Sequence, residues 1–157
     1  MKLSKLLLGL MAGALMFSAT AARADALDDI QKNGTLRVAV PADFPPFGSV
    51  DADLKPQGFD IDVASLIAKK LGAKVELIPV SSANRVPYLT TRKVDLSSMG
   101  KNAEREKVID FTTAYAPFFN GVFGPADLAV KSAADLAGKT IAVTRGSVED
   151  LELTKII

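Results

Sequence analysis

The sequence predicts an α/β fold built on a mostly parallel sheet. Two observations carry this. Short apolar runs of strand character, TLRVAV, AKVELIPV, VDLSS and KTIAV, alternate with stretches that read as helices. The loops PADFPPF, SSMGKN and TRGS then fall directly after strand candidates and hold polar, aromatic and glycine residues. Strands joined through helices run parallel and are covered on both faces, and ligands of such sheets sit beyond the carboxyl ends of the strands.

The elements follow in chain order. Lys2 and Lys5 precede an apolar run from Leu6 to Phe17, and Ala22-Arg23-Ala24 supplies small residues at a cleavage site. Residues 1–24 therefore read as a signal peptide, cut after Ala24 or, through Ala24-Asp25-Ala26, two residues later. The run is too short for a membrane span of about 20 apolar residues. No cysteine near the cut suggests a lipid anchor. After an amphipathic lead, LDDIQKN, Gly34 introduces the buried strand TLRVAV. PADFPPFGSVDADLKPQG, with four prolines, reads as a loop. GFDIDVASLIAKKLG reads as a helix with Val63, Leu66, Ile67 and Leu71 on one face, Asp60 as its cap and Gly72 as its stop.

AKVELIPV is the next strand, and residues 81–93 suggest a short helix with Pro87 near its first turn. VDLSS is a strand and AEREKVIDF a helix. TTAYAPFFNGVFG is an extended aromatic crossing segment. A short helix at SAADLAG, the strand KTIAV and a helix at VEDLELTKII complete the pattern.

Composition excludes several classes of function. Removal of residues 1–24 takes the formal charge from +1 to −2, which gives no footprint for nucleic acid. With no cysteine and no histidine the chain has no disulfide, no zinc ligand set and no Ser-His-Asp chemistry. No metal or cofactor is expected.

Taken in order, GTLRVAV, PADFPPFG, GFDIDVASLIAKKLG, NRVPYL, KVDL, NAER, VIDFTTAYAP and DLAGKTIAVTRGS resemble the periplasmic amino-acid-binding proteins of ABC importers, extracellular solute-binding family 3. The resemblance implies a type II periplasmic-binding-protein fold: two α/β lobes joined by crossing strands, with an amino acid held between them. It implies a monomeric, non-catalytic receptor in the periplasm that delivers its ligand to a membrane permease. The first lobe would span residues 25–118, and residues 119–157 would be the crossing segment and the start of a second lobe.

Site residues carry over where the motifs match. Phe44 takes the place of the aromatic that packs on the ligand, Ser98 and Gly100 meet its α-amino and α-carboxylate groups, and Arg105 clamps the α-carboxylate. A guanidinium fork suits a carboxylate, and the N–H groups of a helix start would add to the same anion site. The bland reading pairs Arg105 with Glu104 or Asp110, a contact worth about 0 to 1 kcal/mol. Asn102 stands where the family commonly has threonine and would serve equally as a helix cap. Phe47 reads as loop packing. Arg85 matches a position that reaches the side-chain carboxylate in the branch taking acidic amino acids, with a surface arginine as the equal alternative. Ser147 would hold the carboxylate from the second lobe, followed by Val148 where threonine is common.

Two departures stand out. Asp95-Leu96 runs straight into Ser97-Ser98, as if two residues were missing, which shortens that strand by about 6.6 Å while keeping each side chain on its face. The chain also stops at LELTKII, so the second lobe is expected to be incomplete, with apolar surface exposed beyond about Gly121, and binding by the 157-residue chain is expected to be weak. Competing functions are a ligand-sensing module of a receptor and, from another class, a dehydratase-like enzyme using a carboxylic acid in the cleft. The amino acid itself is expected to be polar or acidic.

Overall fold

The computed structural model describes residues 25–156; the leader read in residues 1–24 lies outside them. Asp25 caps α1 (Ala26–Asn33) by accepting from the Leu27 amide, and acidic residues occupy its first turn where they suit the helix dipole. The central strand is β1 (Thr35–Val40), flanked in parallel by β5 (Lys74–Pro79) on one side and β6 (Leu96–Ser97) on the other. Leu36, Val38 and Val40 of β1 pack with Ile30, Ile61, Ala64 and Ala68. Ala39, pointing the other way, packs with Val80 and Val94 against Tyr88 and Leu89. A strand buried on both faces explains why TLRVAV is so uniformly apolar apart from Arg37. Arg37 itself makes a two-pronged ion pair with Asp95, from Nε at 3.1 Å and Nη2 at 2.6 Å, and its amide bonds the same carboxylate.

The helix α2 (Phe59–Leu71) stops where expected, with Gly72 in the left-handed region at φ 69° and its N–H bonded to the last turn. Two details of the sequence reading are corrected. Asp60 is not the cap: Gly58 occupies that position, and Asp60 lies inside the first turn, 4% exposed. The buried stripe is Ile61, Ala64 and Ala68, whereas Leu66 is 58% exposed and Ile67 is also on the open side. Alanines allow the helix backbone to lie close against β1, so small residues, not large ones, mark the core face. Leu71 does pack against the core.

The proline-rich stretch is more structured than a loop. It holds β2 (Asp43–Phe44), β3 (Gly48–Val50) and β4 (Pro56–Gln57) in a small antiparallel sheet. Its prolines fall at the strand margins, where a missing N–H costs no ladder bond, and this hid the pairing from the sequence. Ser82–Asn84 form one 3-10 turn leading into α3 (Arg85–Thr90), with Pro87 inside the first turn as expected.

The strand read at VDLSS is reduced to the two residues of β6, although amide bonds from Asp95 to Arg37 and from Ser98 to Ala39 extend its pairing. The helix read over AEREKVIDF is only α4 (Ala103–Glu106). The amides of Val108 and Ile109 both return to the Arg105 carbonyl, and two adjacent β-branched residues do not sustain the turn. Four residues build little of a helix dipole, so that part of the expected anion site is withdrawn.

Residues 111–130, which include the segment read as crossing, contain no helix or strand. A 3-10 turn at Ala133–Leu136 stands where SAADLAG was read as a helix, and α5 (Val148–Ile156) closes the described chain. KTIAV, read as a strand, has no sheet partner among the described residues and is not one. Alternating apolar residues form a strand only when a second strand takes their backbone groups.

Candidate functional site

The carboxyl ends of β1, β5 and β6 lie at one edge of the parallel sheet, and the segments following them converge there. Together with the crossing segment and the start of α5 they enclose a cleft of about 530 Å³. Phe44, Arg85, Gly100, Arg105 and Ser147 all line it. Five of the seven residues singled out by sequence are thus brought to one place, although they span more than a hundred positions of the chain.

Ser98 and Asn102 are placed behind the lining. Ser98 is buried, and its amide bonds the Ala39 carbonyl as the last rung beside β1. Asn102 caps α4, its Oδ1 accepting from the Arg105 amide at 2.9 Å, which holds the arginine where it stands. Phe47 stacks on Phe44 at 5.7 Å between ring centroids, and Phe118 of the crossing segment closes on both. These rings form an apolar part of the lining.

Arg105 is 6% exposed, and neither acidic neighbour takes it up. Glu104 pairs with Lys107 instead. The Arg105 Nη1 donates to the Gly100 carbonyl at 2.6 Å and Nη2 to the Gly146 carbonyl at 2.8 Å. It therefore ties the SSMGKN loop to TRGS, 41 positions later. The same seam is close-packed. A Cβ on Gly146, whose φ is +74°, would lie 2.8 Å from the Ala83 Cα, and one on Gly100 would lie 2.6 Å from Val148 Cγ2.

Arg85 is also 6% exposed, but its Nε and Nη2 have no hydrogen-bond partner among the described residues. Burial pushes the pKa of both guanidiniums down, and the charge of Arg85 adds to that effect at Arg105. Arginine stays protonated in proteins, so the meaning of these shifts is that two cations share a cleft whose water has been reduced. Such a place, lined also by Asp60 and Glu149, favours a ligand that supplies hydrogen-bond acceptors.

Sequence reasoning missed three lining residues. Asp60 was taken for a cap, yet its Oδ1 accepts from the Tyr115 hydroxyl at 2.8 Å, so the crossing segment is bonded to the base of α2. Burial raises the Asp60 pKa, against the opposing effects of Tyr115 and Arg85. Burial likewise pushes Tyr115 up to about 12. Glu149, from α5, lines the cleft near enough to both arginines to act on their charge. The one signal for Asp60 was the pair of acids in FDID, more than one helix start requires.

A cleft lined by two buried arginines at the carboxyl edge of a parallel sheet stands where the ligands of open α/β folds sit. The chain belongs to the bacterial extracellular solute-binding proteins, family 3, which it matches over residues 36–156. It is 30% identical over 150 residues to the arginine-binding extracellular protein ArtP of Bacillus subtilis, covering 94% of this chain and 58% of that protein. It is 33% identical over 144 residues to the glutamine-binding protein of Geobacillus stearothermophilus, covering 87% and 55%. Holo ArgBP from T. maritima superposes with a TM-score of 0.70 at 37% identity, over 82% of this chain and 58% of that one. The fold is accordingly that of type II periplasmic binding proteins, and the chain spans little more than half the length of these relatives.

Proposed function

We propose that the chain is an extracytoplasmic amino-acid receptor whose ligand is passed to the permease of an ABC importer. The observation that carries this reading is the pair of buried guanidiniums of Arg85 and Arg105 in a single cleft, the Nε and Nη2 of Arg85 being unbonded among the described residues. Arg105 takes the ligand's α-carboxylate, assisted by the backbone around Gly100 and Ser147. Phe44 supports its apolar stem, and Arg85 takes the polar or acidic end of the side chain. Residues 25–118 form the first lobe and residues 119–157 enter the second. Export to the periplasm follows from the leader read at residues 1–24 and accords with relatives described as extracellular.

Calorimetric titration of the purified chain with the common amino acids tests the reading. Arg105→Ala should abolish binding, because an α-carboxylate left without its partner costs about 3 to 5 kcal/mol. Unchanged affinity in that variant would defeat the assignment.

A second reading has one observation behind it. Asp60 is a buried carboxylic acid with a raised pKa in the cleft, and the cyclohexadienyl dehydratase of Pseudomonas aeruginosa is 34% identical over 105 residues, 65% of this chain and 39% of that one. Turnover of a cyclohexadienyl acid, lost in Asp60→Asn, would favour an enzyme.

A further inference from the structure

Resting on the receptor reading above, the geometry points to a carboxamide, and not a carboxylate, as the side-chain end that the cleft prefers: Arg85 donates to its carbonyl oxygen while Asp60 accepts from its N–H.

The argument starts from a mismatch between charge and hydrogen bonding at Arg85. The carboxylates of Asp43, Asp60 and Glu149 all lie near enough to act on its charge. None of them bonds to its Nε or Nη2, which are buried and without partners among the described residues. Its charge is therefore already opposed by surrounding acids, while its donors still lack an acceptor. A neutral carbonyl supplies that acceptor without adding a fourth negative charge to the surroundings. Asp60 supplies the complementary half. Among the described residues only its Oδ1 is engaged, by Tyr115, and ionised carboxylates offer about four lone-pair sites, so acceptor capacity remains.

A ligand carboxylate at this end would bond Arg85 equally well, but it would bring a like charge towards Asp60 in a water-poor site, where such approach is costly. A carboxamide avoids that repulsion and uses both partners. Arg105 is kept for the α-carboxylate at the other end.

The test is a set of titrations of the full chain at pH 7.5, followed by NMR chemical shifts up to millimolar ligand, with L-glutamine, L-asparagine, L-glutamate and L-aspartate. L-Glutamine or L-asparagine should bind at least about tenfold more tightly than the acid of the same length, a ratio equivalent to one unsatisfied or repelled buried group. Asp60→Asn keeps an acceptor for Tyr115 and removes the charge, so the amide-to-acid ratio should fall to about threefold or less, the acid gaining as the amide loses. If that variant does not fold, the wild-type ratio decides alone. Acids bound as tightly as amides would overturn the inference and leave an amino-acid receptor standing. No binding of any of the four, nor of other amino acids, would overturn both.

Discussion

Single residues at the seam between the SSMGKN and TRGS loops decide how the cleft is closed. Gly146 has a positive φ and its α-carbon faces the Ala83 backbone, so a side chain there is strained by its own conformation and has no space. Gly146→Ala should therefore cost on the order of 1 kcal/mol or more of local stability. Its clearest effect should be faster hydrogen exchange at Ser147, whose amide bonds Thr144, and at Leu151, which bonds Ser147. Unaltered exchange there would show that the seam makes room for a side chain. Arg105 stands out in the sequence, because a cation in the first turn of a helix is locally unfavourable. What the sequence could not show is that the arginine already holds two carbonyls from distant loops, since Gly100 and Gly146 carry no side-chain signal. Asp60 was misread for a related reason. A local rule, that acids cap helices, fitted it well enough to hide a contact with Tyr115, 55 positions away.

At the scale of elements, β6 is held by the Arg37 and Asp95 pair as much as by its two rungs of ladder. Burial alone would raise the Asp95 pKa, but the hydrogen bonds and charge of Arg37 outweigh it and hold the carboxyl below its ordinary value. The sign follows directly. A carboxyl with a depressed folded pKa adds stability that is present above the unfolded value of about 3.9 and is lost as pH falls through the lower, folded one. Asp95→Asn should thus lower the unfolding free energy measured in urea at pH 7 by about 1 to 3 kcal/mol, for bonds to a charged group, and that difference should shrink below about pH 4. Because Arg37 is 39% exposed, solvent screening puts the effect at the lower end. A pH-independent difference would mean that Asp95 acts by packing alone. The core of β1 is a separate matter: Leu36 is fully buried, and Leu36→Ala should cost about 2 to 5 kcal/mol. β1, β5 and α2 were readable because their apolar runs are local, whereas β2, β3 and β4 lie among prolines. The face of α2 was not, since Ala64 and Ala68 signal close approach only once β1 is known to lie beneath them.

Across the whole molecule, the two sides of the cleft are unequally built. The first rests on a three-stranded parallel sheet with cores on both faces. The second is supplied by residues 147–149, and the chain leading to them, 111–146, contains no strand among the described residues. The expected exposure of apolar groups is present there: Phe119 is 87% exposed and Phe123 95%, with Val122 and Val143 also open. A ligand carboxylate would therefore be fixed firmly by Arg105 on one side and by a thinly supported loop on the other. Ordering such a segment costs about 1 to 2 kcal/mol per residue in backbone entropy, which must be offset by contacts it makes on closing. Binding by the 157-residue chain should consequently be weak, in the high micromolar range or above, about 5.5 kcal/mol or less of binding free energy. Hydrogen exchange in the presence of saturating ligand should protect β1, β5 and the loop after β6, and leave residues 119–131 unprotected. Sub-micromolar affinity with protection extending through residues 119–143 would mean that this segment folds around the ligand, and that a parallel sheet on one side is enough to close the cleft.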